Sequence, residues 1–139
     1  ITLFASGTGS GKSTIVKEIV LDLLEEKADA DGVIEEPNKV GLISLEESVG
    51  DTAEKFIEMS LRQRLDNSEG IMLSEAKLRH GFDTVFKDER LVLLDHQGSV
   101  GDSTLIDKIE YMCLMGCKYL ILDHITIAVS EGSEYHDLI

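Results

Sequence analysis

Ser6-Gly7-Thr8-Gly9-Ser10-Gly11-Lys12-Ser13-Thr14 is the stretch on which the reading of this chain turns. Glycines at alternate positions, Gly7, Gly9 and Gly11, let the backbone fold tightly and turn its N–H groups toward an anion. The apolar residues 1–5 come before it and read as a buried strand. A helix pattern follows over 13–26, where Ile15, Val16, Ile19, Val20, Leu23 and Leu24 recur at the spacing of one helix face. The start of that helix adds the positive end of its dipole. Strand, glycine-rich turn and helix together form a cradle for phosphate groups. Lys12 then reaches the β- and γ-phosphates, and the Ser13 hydroxyl can bind Mg²⁺. The bland alternative is an ordinary glycine turn with a chance Gly-Lys-Ser, and the flanking elements weigh against it. The candidate nucleotide contacts are therefore Gly7, Thr8, Gly9, Ser10, Gly11, Lys12, Ser13 and Thr14, with Thr14 also readable as a helix-packing residue.

Outward from this loop, strands alternate with helices. Residues 27–38 hold Gly32, the only proline (Pro37) and many acids, and read as an exposed loop. A second strand is expected over 39–45. Ser48 can cap a helix running to about Leu65, with Ala53, Phe56, Ile57 and Leu61 on one face. A polar break at 66–70 separates it from a helix over 75–86. A third strand follows at 90–94. A helix over 103–115 points Leu105, Ile109, Met112 and Cys113 inward and ends at Gly116. The fourth strand, 119–122, is apolar throughout, as expected of a strand covered on both faces. From Ser130 the chain turns polar. The class is α/β with a largely parallel sheet, in which ligands bind beyond the carboxyl ends of the strands.

The loop resembles a Walker A motif, G-x-x-x-x-G-K-[ST], with Ser6 in place of the first glycine. Tyr119-Leu120-Ile121-Leu122-Asp123 resembles a Walker B motif, in which an apolar run anchors a central strand and the terminal carboxylate holds a water on Mg²⁺. Many buried strands end in Asp, but this one follows the phosphate loop after alternating βα units. Leu45-Glu46-Glu47-Ser48 puts two acids at the end of the second strand. Hydrolysis of a phosphoanhydride needs a group that orients or deprotonates the attacking water. Side chains alternate along a strand, so if the strand geometry persists through the pair, only one of the two acids would face the γ-phosphate. The competing reading is that both acids open the next helix, where negative charge is favoured. His96 and His124 follow strand ends and could sense nucleotide or polarise water; a structural role suits them equally. Cys113 and Cys117 lack the further ligands of a zinc site and read as buried thiols.

Composition sets limits. At 139 residues the chain has the size of one domain, and 42% apolar content allows a single core. No apolar run approaches the ~20 residues of a membrane span, and no signal peptide is evident. Two cysteines make no disulfide framework, which suits a reducing, cytoplasmic setting. The net charge of −14 argues against extensive nucleic-acid contact by this segment, while leaving room for contact through a few loops. The chain starts at Ile1 without an initiator Met and looks like a piece of a longer polypeptide.

Residues 6–14, Leu-Glu-Glu-Ser at 45–48 and Ile-Leu-Asp-His-Ile at 121–125 together resemble the helicase domain of T-odd phage primase–helicases. These are relatives of DnaB and mitochondrial Twinkle among the RecA-like P-loop NTPases. Ser6 itself is similar to the phage pattern, and Tyr111-Met112 and Gly116-Cys117 add to it; the acidic stretch 28–38 is longer than that pattern. The resemblance implies a RecA-like core and ATP (or another NTP) with Mg²⁺ as cofactors. It implies that Lys12 and Ser13 contact phosphate and metal, that Glu46 is the catalytic glutamate, and that Asp123 is the Walker B acid. It likens residues 130–137 to a loop facing a channel for single-stranded DNA. Homo-hexameric rings, primase and replisome partners, and a bacterial or phage-infected cell are further implications. A sensor strand, later DNA loops and an arginine finger would lie beyond Ile139, and a primase domain before Ile1.

A RecA-type recombinase or KaiC-like regulatory ATPase shares the two Walker elements and a strand-end glutamate, so the Leu-Glu-Glu-Ser and Asp-His-Ile wording is what favours the helicase. A degenerate nucleotide-binding module is opposed by the intact set of Lys12, Ser13, Glu46 and Asp123.

Overall fold

The computed structural model describes residues 1–5, 11–34, 36, 38–65, 73–96 and 103–123. In chain order the elements are α1 (Lys12–Leu24), β1 (Val40–Ser44), α2 (Val49–Leu61), α3 (Glu75–Phe86), a single 3₁₀ turn (Lys87–Glu89), β2 (Leu91–Asp95), α4 (Thr104–Leu114) and β3 (Tyr119–Asp123). The three strands form one parallel sheet in the order β2-β1-β3. This is the expected α/β alternation.

β1 is central and every one of its residues is buried. Alternation along it divides the core in two. Val40 and Leu42 pack with Val20 and Leu24 of α1, Phe56 of α2, Val85 of α3 and Leu91 of β2. Ile43 packs on the opposite side with Leu105 and Met112 of α4. The result is three layers, with α1, α2 and α3 on one face of the sheet and α4 on the other.

Local chemistry explains the boundaries. Ser48 caps α2 as expected, its Oγ accepting from the Asp51 N–H at 3.1 Å. That helix stops at Leu61 rather than Leu65. Arg62 turns left-handed (φ 51°), and the Glu58 carboxylate takes the Leu65 N–H at 2.8 Å, away from any helical ladder. β2 begins one residue later than expected, because the Arg90 backbone still closes the 3₁₀ turn (φ −76°, ψ −21°), its N–H donating to the Lys87 carbonyl at 3.3 Å; its side chain donates from Nη1 to the Leu24 carbonyl at 2.9 Å. Asn38 donates to the Leu23 carbonyl at 3.1 Å, so the carboxyl end of α1 has partners for two of its terminal carbonyls. Gly81 lets α3 lie close on α2: a Cβ there would come within 2.8 Å of the Leu61 side chain.

Three expectations fail. Residues 1–5 form no strand and are exposed. An apolar segment becomes a strand only where a neighbour pairs its backbone groups, and none of the three described strands takes it. β3, expected to be central and covered on both faces, is an edge of the described sheet and leaves Tyr119 and Leu120 exposed. Cys113 is exposed, because Leu105, Ile109 and Met112 already complete the inward stripe of α4; Cys117 is half-buried.

Candidate nucleotide-binding and catalytic site

Gly7, Thr8, Gly9 and Ser10 lie outside the described residues; the loop is seen from Gly11 onward. Gly11 is the N-cap of α1 in the left-handed region (φ 82°), a conformation that glycine adopts without a Cβ penalty. Its carbonyl accepts the first helical hydrogen bond, from the Ile15 N–H at 3.0 Å. Lys12 and Ser13 therefore occupy the first turn of α1, where unpaired N–H groups and the helix dipole favour an anion. Lys12 and Ser13 are half-buried and Thr14 is exposed.

The acids converge at the carboxyl edge of the sheet. The parallel register places Ser44, Asp95 and Asp123 on one rung at the carboxyl ends of the three strands. The Leu45 N–H donates to the Asp123 carbonyl at 2.8 Å, and the His96 N–H to the Ser44 carbonyl at 2.9 Å. Glu46 follows directly, exposed, and Glu47 is half-buried. β1 ends at Ser44, so the strand alternation expected for the pair does not reach Glu46 and Glu47, which lie in the bend between β1 and α2. Glu47 forms an ion pair with Lys17 of α1 at 3.2 Å and a second with Lys55 of α2. Burial raises the Glu47 carboxyl, but the hydrogen bond from Lys55 and the charge of Lys17 outweigh it and hold the group below the usual carboxylate range.

The sign of that shift gives a stability prediction. A depressed carboxylate contributes stability that is fully present above its unfolded value and is lost as pH falls through its folded value. At neutral pH, Glu47→Gln should be less stable than the parent by on the order of 1–2 kcal/mol, between the ranges for exposed and buried pairs. Urea titrations at successive pH values should show that gap closing as pH falls through the carboxylate range. A gap independent of pH would remove the charge from the explanation.

Sequence reasoning missed Lys17, Lys55, Thr52 and Lys108. Lys17 carried a usable signal: with Val20 and Leu24 it lies on the buried face of α1, and an ammonium there demands a carboxylate partner. Lys108 of α4 donates to the Asp95 carbonyl and lies 3.5 Å from His96 Nδ1. The His96 ring is buried, and its Nε2 has no hydrogen-bond partner among the described residues. His124 and residues 130–137 lie outside the described residues.

Glu46 and Glu47 also border a surface cleft with Asp51, Glu54, Lys55 and Glu58. Five carboxylates against one ammonium would repel a polyphosphate, so this cleft is not a nucleotide pocket. Among the described residues no group of three or more His, Cys, Asp or Glu could cage a metal ion. Mg²⁺ does not require such a cage. It keeps several waters and binds through one or two carboxylates plus substrate phosphates, and the hard oxygen donors of Ser13 and Asp123 suit it. No described helix is long and apolar enough to cross a membrane.

No family model matches the chain. The chain is 30% identical over 138 residues to the DNA helicase/primase of Enterobacteria phage T3, an alignment that covers 96% of this chain and 23% of that protein. The chain thus spans less than a quarter of that relative's length, and the likeness relates it, over almost all of its own length, to a phage DNA helicase/primase.

Proposed function

We propose that this chain carries the nucleotide-hydrolysing core of a DNA helicase motor with a RecA-like P-loop fold. The observation that carries the reading is the sheet register, which sets Asp123 and the Glu46–Glu47 pair at one end of the sheet, in a chain related to a helicase/primase. The backbone of Gly7, Thr8, Gly9, Ser10 and Gly11 wraps the phosphates of ATP or another NTP. Lys12 draws charge from the β- and γ-phosphates, and Thr14 supports the loop. Ser13 and Asp123 hold Mg²⁺, which when bound neutralises charge developing on the phosphate oxygens. Glu46 orients a water and accepts its proton as the water oxygen bonds to the γ-phosphorus. The bond from that phosphorus to the β–γ bridging oxygen breaks, and a nucleoside diphosphate and inorganic phosphate leave.

Single-stranded DNA is the track, and a homo-hexamer with nucleotide between subunits is the working assembly. Primase and replisome proteins are its partners. An acidic chain suits contact through a few loops rather than a broad basic face. The deciding experiment is strand separation on a forked duplex by the intact protein, with nucleotide and Mg²⁺. Unwinding that depends on hydrolysis is expected. Hydrolysis without strand separation would move the protein to the recombinase or regulatory ATPases, and no nucleotide binding would leave only an assembly module.

Asp123→Asn should spare much of the nucleotide binding and weaken Mg²⁺-dependent turnover, because the amide keeps shape and loses charge. Steady-state rates across a Mg²⁺ series check this. A parent rate that is unchanged when Mg²⁺ is omitted would sink the metal assignment.

A further inference from the structure

The Glu47 carboxylate is held by more elements than a helix-opening acid needs. Lys17, on the helix that begins at Lys12, is only 4% exposed, and it reaches Glu47 Oε2 at 3.2 Å. Lys55 and Thr52, both on α2, approach the same carboxylate, Thr52 Oγ1 donating to Oε2 at 3.4 Å. The main chain is fixed too, with the Glu47 N–H donating to Ser44 Oγ at 3.0 Å. Ser44 ends β1 and is itself buried. One residue is thereby tied to α1, α2 and β1, and that residue is the neighbour of Glu46.

We propose that Glu47 is a positioning residue: its ion pairs with Lys17 and Lys55 clamp the β1–α2 turn against the phosphate-loop helix and so set where Glu46 stands relative to Lys12. The inference rests on the reading of Glu46 as the catalytic carboxylate.

Lys17 lies five residues from Lys12, about 7.5 Å along the α1 axis, so the clamp grips the same rigid helix that presents the phosphate ligand. An ammonium as buried as Lys17 is held by its partner; without that partner the turn has no charged tie to α1. Hydrolysis is sensitive to placement, and a misplacement of about 1 Å can cost roughly 10²-fold. Loss of the clamp should therefore act on the chemical step and leave phosphate capture alone.

The test uses the intact protein with four variants: Glu47→Ala, the double replacement Lys17→Met with Glu47→Met, Glu46→Gln, and Glu46→Gln combined with Glu47→Ala. The methionine pair removes both charges together and keeps the volume filled, so it folds even if Glu47→Ala does not. Thermal unfolding above the assay temperature confirms folding. For Glu47→Ala and for the methionine pair, kcat should fall roughly 10–100-fold while KM for the nucleotide stays within about twofold. In the Glu46→Gln background, Glu47→Ala should cost little more, because the group it positions is already disabled. A folded methionine pair with full kcat would overturn the proposal. So would losses in kcat that simply multiply in the combined variant, since a general structural defect behaves that way. Parent-like turnover in Glu46→Gln would remove the reading of Glu46 itself, and with it this inference, and it is told apart by that variant alone.

Discussion

Lys12→Ala is expected to abolish most nucleotide binding and nearly all hydrolysis. Lys12 is the first residue of α1, directly after the left-handed Gly11, so its ammonium belongs to the turn where the helix dipole and unpaired N–H groups already favour anions. An ammonium is a compact point charge on a flexible stem, suited to following a phosphate as its charge shifts. Removing one preorganised donor from such a centre costs roughly 10²–10³-fold in turnover, and here a full charge goes with it. Alanine is the best helix former, so α1 keeps its backbone and the loss falls on the ligand rather than on the fold. Calorimetric titration with a non-hydrolysable nucleotide and a steady-state phosphate-release assay read the two effects. A variant that binds and turns over like the parent would sink the phosphate-loop assignment.

The alternation of strands and helices was legible in the sequence because each element is long enough to show its own period. The apolar stripe of α1 and the continuous apolar run at β1 are examples. The convergence of the acids at one sheet end was legible for the same reason, since in a parallel sheet all carboxyl ends share an edge. Partnership was not legible. Residues 1–5 and Tyr119–Leu120 have the composition of covered strands, yet they are exposed, because apolarity reports a tendency to be buried and not what does the burying. Charge partnership was hidden in the same way. Lys17 is far from Glu47 and Lys55 in one dimension and joins them only when α1 and α2 lie side by side on β1. Glu46 and Glu47 could be separated in sequence only by resemblance, whereas the fold gives the second a charge-paired setting of its own.

That separation yields the second large effect. Glu46→Gln should bind nucleotide with near-parent affinity and hydrolyse it roughly 10²–10⁴-fold more slowly, the range attributed to general-base assistance. Glutamine keeps the size and a hydrogen-bonding oxygen, so water can still be placed, but it cannot take the proton as the oxygen attacks. The same change at Glu47 should be far milder. Its amide oxygen can still accept from Lys17 and Lys55, so much of the clamp geometry persists while only its charge is lost. The ranking follows from what holds Glu47. A carboxylate held between two ammonium groups has its lone pairs committed and its proton affinity lowered, and both make it a poor base. Glu46 is exposed at the same strand end, one residue past the Leu45 N–H that bonds the Asp123 carbonyl, and stands on the edge where the metal carboxylate is expected. Steady-state hydrolysis by the two single variants decides the matter. If Glu47→Gln were the slow enzyme and Glu46→Gln the near-normal one, the catalytic carboxylate would be the clamped residue and the roles of the pair would have to be exchanged.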